Sequence, residues 1–378
     1  MLVYFLLIAV ICLDFYLEKL FVKYCKKENK LGRVLSFFFK YRVLSIIAFV
    51  CISTFKSYSV GYDTQVYVNY YEALKSGKRK PFVSYLSSKY EYGFTFLSSI
   101  LAVCGFDFRI LLFIVSLFVS ITLVISINKI SPNKLMSLIL YIALGVFAQS
   151  LSATRQIIAI ALVMLAIVFL KDKKWWQPLL LIALASLFHT SAIVCFVLIP
   201  IRYIKLNYWW VLGALALTII CSFCLPFILK VLEKYTFIDY YSKYFVNFTG
   251  FIQETDVVNI LYSVGIIVVY VILYLGRSKV LQLDEKKELY DYFLLINLFV
   301  PLIRISGFIA NVQALFNRVS VYFFVSYLFI IPMFVEAVRY DKKLYVACNI
   351  MVYIIAAGYM SYLYAVKFSC GVVPYLFF

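Results

Sequence analysis

Apolar runs recur from one end of this 378-residue chain to the other, separated by short basic gaps. A membrane helix needs about 20 apolar residues to cross a hydrocarbon core of ~30 Å. Repeated runs of that length leave room for little except a bundle of spanning helices. Composition agrees: 65% of the residues are hydrophobic and 14% charged, against about 45–50% apolar and about 25% charged in a soluble domain. A soluble enzyme, a β-barrel, a fibrous chain and a disordered chain are excluded. The expected fold is all-α, a single polytopic integral membrane domain over 1–378 with about twelve transmembrane helices.

The spans are expected at 2–22, 35–55, 109–127, 135–151, 156–170, 178–189, 190–204, 209–229, 257–276, 291–310, 319–337 and 344–365. The run 92–105 is apolar but short, a length more often re-entrant or interfacial than spanning. Charge decides its place. The net charge is +18, and cytoplasmic loops carry the excess of Lys and Arg. The basic gaps at Lys23 to Arg42, Lys171 to Lys174, Arg277 to Lys287 and Arg339 to Lys343 share one side only if 92–105 stays on the outer face. The basic surplus therefore reads as topology plus attraction to anionic membrane lipid. No nucleic-acid-binding motif accompanies it, so nucleic acid is not expected as a partner. The nine cysteines lie mostly in apolar runs and act as small hydrophobes. Cys221 and Cys224 lack a second pair or a nearby His, and no metal site is expected. The stretch Met1 to Ile11 has no basic n-region and reads as a retained first helix.

Under this topology the informative polar residues gather outside. The first outer loop runs from Lys56 through Gly61, Tyr62, Asp63 and Tyr67 to Glu72, and resumes at Tyr90-Glu91-Tyr92-Gly93. Tyrosines with an apolar face and a polar tip suit sugar rings, though taken alone they read first as an interfacial belt. A glycine ahead of Asp63 lets the backbone turn and present the acid. Arg155-Gln156 stands at the mouth of a helix with no acid near it in sequence; it suits either snorkelling or the two-pronged grip of a guanidinium on phosphate. His189, the only histidine, lies in a turn between two short spans and is suited to proton transfer near neutrality. Asn297, Arg304, Asn311 and Arg318 are spaced by seven, which predicts one helix face. An intramembrane arginine such as Arg304 faces a cavity or a partner.

Several stretches together resemble the EpsG/Wzy family of polysaccharide polymerases. They are Val60-Gly61-Tyr62-Asp63 with Tyr67; Glu91-Tyr92-Gly93-Phe94; Arg155-Gln156 followed by Ala159; Phe188-His189-Thr190-Ser191-Ala192; Arg318 followed by Tyr322-Phe323; and Pro374-Tyr375-Leu376-Phe377-Phe378. They occur in the family's order across nearly the whole chain. Lys56 stands where the family usually has Arg, and Tyr62 where it usually has Thr. The resemblance implies a bacterial plasma-membrane enzyme joining undecaprenyl-pyrophosphate-linked oligosaccharide repeat units at the outer face, for an O-antigen, capsule or exopolysaccharide. It further implies a chain-length regulator and a flippase as partners. Asp63, Arg155, His189 and Arg318 are then the expected catalytic residues. Tyr62, Tyr67, Glu91, Gln156, Arg304, Asn311 and Tyr322 are expected to bind substrate. The outer loops hold no D-x-D pair for a metal-bridged pyrophosphate, and no cofactor is expected. Two rivals remain at this level. A glycan-lipid transporter would place its charges near the midplane. A ligase moving finished glycan would share the same arginines and histidine.

Overall fold

The structure, a computed structural model, describes residues 1–24, 30–82, 90–232, 257–280, 284–310, 313–367 and 369–378. Lys26 and Lys27 of the first basic gap and the candidate Asn311 lie outside the described residues. The chain is all-helical, with no strand among the described residues, and it divides into two compact units, 1–193 with 339–378, and 194–338.

The first unit contains α1 (Leu2–Tyr24), α2 (Lys30–Lys40), α3 (Val43–Thr54), α4 (Thr64–Lys75), α5 (Tyr92–Val103), α6 (Phe108–Ile130), α7 (Lys134–Ala143), α8 (Val146–Ser152), α9 (Thr154–Lys171) and α10 (Trp176–Phe188). The second contains α11 (Leu198–Ile201), α12 (Tyr208–Leu232), α13 (Val257–Leu275), α14 (Arg277–Val280), α15 (Asp284–Ile309), α16 (Gln313–Phe324) and α17 (Tyr327–Ala337). The chain then returns to the first unit in α18 (Lys342–Ser361).

Among the described residues, five helices are long and apolar enough to cross a membrane, or up to eight if each bent pair is one span. The reading of about twelve counted segments that differ in physical kind. α1 is long enough, yet it carries Asp14, Glu18 and Lys19. The expected span 135–151 is a pair, α7 and α8, bent by 53° where Gly145 takes φ +79. α10 has 13 residues, about 20 Å at ~1.5 Å per residue, short of the ~30 Å core. The segment after it opens as a 3-10 helix at Thr190–Val197. α5, the core of 92–105, has 12 residues and is likewise too short to cross. α18 shows the opposite character: Leu344, Val346, Ile350, Met351, Ile354 and Ile355 are all exposed, an apolar surface suited to lipid contact.

The seven-residue polar series is not one helix face. α15 ends at Ile309, and α16 doubles back against it. Asn297 Nδ2 donates to Ser326 Oγ at 2.8 Å, and the rings of Phe299 and Phe323 stack 4.9 Å apart. A Cβ on Gly307 would meet Phe316 Cβ at 3.0 Å. These pairings run antiparallel, so Arg304 and Arg318 sit at one level on two limbs of a hairpin. A heptad count assumes a continuous helix, and the turn after Ile309 breaks that premise.

In the first unit the loop after α3 is pinned from beneath. Gly61 has φ +95, and a Cβ there would lie 2.5 Å from Leu151 O and 2.9 Å from Ser152 Cα. That approach lets Lys56 Nζ donate to Leu151 O at 2.5 Å, Thr64 Oγ1 at 2.6 Å and Val60 O at 2.8 Å. The C-terminal residues strap the loop from the other side: Gly61 N donates to Gly371 O at 2.8 Å and Ser57 N to Leu376 O at 2.8 Å. Gly61→Ala should therefore lose folded protein, since backbone blocks it on two sides. Gly77→Ala, at φ +72 with nothing within 4 Å, should cost only the left-handed penalty of about 1–2 kcal/mol. Thermal unfolding of both variants in detergent measures the contrast; equal losses would mean that the close approach is unimportant.

Candidate functional site

Glu91 is the residue on which the first unit's polar side chains converge. It stands at the N-cap of α5 and is buried. Gly93 follows two residues later, and a Cβ on it would meet Leu187 O at 3.0 Å and the Phe188 ring at 3.1 Å. The missing side chain lets the start of α5 press on the end of α10, which delivers Glu91 to His189. His189 Nδ1 lies 3.1 Å from Glu91 Oε1, and the Thr190 amide donates to the same oxygen at 3.4 Å. The other oxygen, Oε2, accepts from Arg155 Nη1. Arg155 was expected to stand without an acid; the fold supplies one from 64 residues away.

Arg155 begins α9, just past the break at Ala153 that separates it from α8. Its Nε donates to Tyr67 Oη at 3.3 Å. Its guanidinium lies 4.9 Å from the Tyr90 ring centre and 5.5 Å from that of Tyr67, an arrangement that adds cation–π attraction. Tyr67, Tyr90 and Phe94 pack edge to face or tilted behind it, with Tyr67 and Phe94 at 5.2 Å. The arginine thus has a carboxylate on one prong and aromatic walls beside it.

The electrostatics follow from this packing. Burial alone would raise the Glu91 carboxyl, but the His189 hydrogen bond and the Arg155 charge outweigh it and hold the group at about 2. Glu91 is therefore a fixed anion and a poor proton acceptor. A carboxylate only accepts hydrogen bonds, so neutral His189 carries its proton on Nδ1 and leaves the Nε2 lone pair available. Burial likewise lowers Lys56 to about 7. Its three acceptors nonetheless match the three donors of an ammonium group, and this residue holds the loop that carries Asp63.

The other expected residues fall in several places. Asp63 is half-buried at the N-cap of α4, where its amide lies 3.5 Å from Ser152 Oγ. Tyr62 is exposed. Tyr67 is buried and faces Arg155 rather than solvent. Gln156 is buried and accepts from Gln149 Nε2 at 2.9 Å. Arg304, Arg318 and Tyr322 belong to the second unit; Arg318 is exposed on α16 and Tyr322 is fully buried. Sequence reasoning missed Tyr90 as a wall for Arg155 and Lys56 as the anchor of the Asp63 loop. The signal for Lys56 was a lysine placed directly after an apolar span and five residues before Gly61.

Removing one partner from a buried ion pair typically costs about 3–5 kcal/mol, so Glu91→Gln should unfold at a clearly lower temperature near neutral pH. The sign of the pH effect follows from the depressed carboxyl. In the unfolded chain it titrates near its ordinary 4.5, and in the folded protein near 2. The unfolded state takes up the proton first, so the stability contributed by Glu91 is complete above 4.5 and is lost as pH falls toward 2. The melting difference between wild type and Glu91→Gln should shrink over that window. A difference independent of pH would show that Glu91 is not held as the anion.

The family model of the EpsG family matches residues 39–377. No curated protein and no solved structure matches the chain. A family match over nearly the whole chain, joined to several apolar helices, points to a multi-pass membrane protein with a polymerase-type role in polysaccharide biosynthesis. The chain belongs to the EpsG family.

Proposed function

We propose that the protein is a polysaccharide polymerase of the bacterial plasma membrane that joins undecaprenyl-pyrophosphate-linked oligosaccharide repeat units at the outer face. The observation that carries this reading is the Glu91–His189–Arg155 cluster, a potential base and a cation oriented by one buried carboxylate. Glycosyl transfer to a sugar hydroxyl needs both. The bond from the donor sugar's anomeric carbon to pyrophosphate breaks, and its electron pair leaves with the pyrophosphate. The acceptor hydroxyl oxygen forms the new glycosidic bond, and its proton passes to His189 Nε2. The hydrogen bond from Nδ1 to Glu91 Oε1 orients the ring for that transfer. Arg155 stabilises the charge that develops on the leaving pyrophosphate, an effect worth about 10²–10³ in rate for a well-placed donor; Arg304 and Arg318 of the second unit are cations of the same anion chemistry. Tyr62 and Asp63, on the pinned loop, bind the glycan. Glu91 positions His189, and membrane lipid surrounds the whole.

The test is purified protein with one defined lipid-linked repeat unit, followed by product sizing. A ladder of lengths is the expected result, whereas a single transfer to another acceptor would identify a ligase and unchanged substrate would point to transport. Arg155→Ala and His189→Ala should each abolish the ladder while the protein still inserts. Asp63→Asn should be milder, because the proton goes to His189. Orientation is checked separately in a background free of native cysteines. Ser76→Cys should react with an impermeant thiol reagent from outside, and Lys173→Cys only after permeabilisation. The reverse labelling pattern would put the cluster on the wrong side of the membrane.

A further inference from the structure

The turn that ends α4 carries four cations in six residues: Lys75, Lys78, Arg79 and Lys80. All four are exposed, and no acid pairs with any of them among the described residues. A cation in the last turn of a helix complements the negative end of its dipole, an effect that fades beyond that turn. This accounts for Lys75, which lies in the last turn, and leaves the other three past the helix end. Topology does not account for them either. The surplus of Lys and Arg belongs to cytoplasmic loops, and the proposed function puts this turn outside.

The cluster is held in place. Gly77 takes φ +72; its amide donates to Leu74 O at 3.2 Å and the Arg79 amide to Ala73 O at 2.9 Å, which folds the chain back over the end of α4. Arg79 is thereby laid against Tyr70, its guanidinium 5.4 Å from the ring centre. Tyr70 packs on Tyr90 at 4.5 Å, and the Tyr90 ring centre lies 4.9 Å from the Arg155 guanidinium. Arg79, Arg155 and Asp63 all act electrostatically on the Tyr90 phenol. A short chain of ring contacts thus joins the basic turn to the Glu91–His189–Arg155 cluster. Two residues after Lys80 stands Phe82, which is exposed, as is Phe96, and the two ring centres are 5.9 Å apart. The Phe82 amide donates to Ser99 Oγ at 3.1 Å, which ties the turn to α5.

Exposed cations beside exposed aromatic rings match one chemistry. A sugar bearing a carboxylate or phosphate presents an anion to Lys and Arg and an apolar ring face to Phe. A phospholipid headgroup offers the anion without the ring face. Cations of one sign beside a site also concentrate an anionic substrate there. We infer that Lys75, Lys78, Arg79 and Lys80, with Phe82 and Phe96, form a rim that binds acidic sugar residues, so that the glycan this protein handles is an acidic one. This rests on the polymerase reading and deepens it, because it names the class of sugar in the repeat unit.

Binding and product formation are measured separately. Full-length protein in detergent is titrated with an oligogalacturonate and with a maltooligosaccharide of equal length, as acidic and neutral probes. The oligogalacturonate should bind more tightly, and its affinity should fall as salt is raised, because exposed charges are screened. Replacing three cations together, Lys78→Gln, Arg79→Gln and Lys80→Gln, should weaken it about tenfold, at roughly twofold or more per exposed ion pair. The melting temperature should stay at the wild-type value, since these side chains are exposed. Lys342→Gln with Lys343→Gln removes two exposed cations at the start of α18. That pair controls for the general attraction of a +18 chain and should leave the affinity unchanged. Equal losses in the two variants would reduce the effect to net charge and overturn the rim. Equal wild-type affinity for the two probes would overturn it as well. Short-chain phosphatidylglycerol is the third probe: if the triple variant loses only phosphatidylglycerol binding, the cations serve membrane lipid and the sugar assignment fails. Product sizing on wild type decides the polymerase reading by itself. A ladder without preference for the acidic probe would sink only the rim, whereas acidic preference without a ladder would sink the polymerase and leave an acidic-glycan surface.

Discussion

The Glu91 carboxylate sets the arrangement of the first unit's polar side chains. Arg155 and His189 come from α9 and from the end of α10, 64 and 98 residues from Glu91. Burying a guanidinium beside apolar helices is unfavourable without an anion, and removing the partner of a buried ion pair typically costs about 3–5 kcal/mol. Glu91 supplies the anion, and its two oxygens divide the work: one orients the imidazole, the other holds the guanidinium. The carboxylate's low affinity for protons is the consequence, and it makes Glu91 a poor proton acceptor.

That carboxylate is useful only because the surrounding backbone is brought unusually close. Gly93 lets α5 press on α10, and Gly61 lets the first loop press on Leu151 and Ser152 at the end of α8. Lys56, fully buried, then ties Val60, Thr64 and Leu151 together. The C-terminal residues add backbone bonds to the same loop. A loop held by backbone contacts and a saturated lysine keeps its geometry without large side chains packed beneath it.

The second unit uses a different device. Its hairpin of α15 against α16 places Arg304 and Arg318 at one level, and Asn297, the first member of the heptad series, is turned inward to Ser326 and to its own helix at Phe293 O. Asn297 is thus an internal tie between limbs.

Much of this was legible in the residues alone. The apolar runs dictated an all-helical membrane protein, because no other structure satisfies the backbone in lipid. The shortness of 92–105 agrees with a helix of 12 residues, less than a crossing needs. Gly61-Tyr62-Asp63, Glu91, Arg155 and His189 stood out as polar groups at apolar boundaries. Their partnership did not. Sequence spacing reports only neighbours on one helix, whereas Glu91 meets Arg155 and His189 through tertiary packing permitted by Gly93. The same limit explains the heptad reading, which held as arithmetic and failed once the chain turned after Ile309. Length and polarity decided what kind of protein this is; close packing at a few glycines, and the antiparallel return of α16, decided which charges face each other.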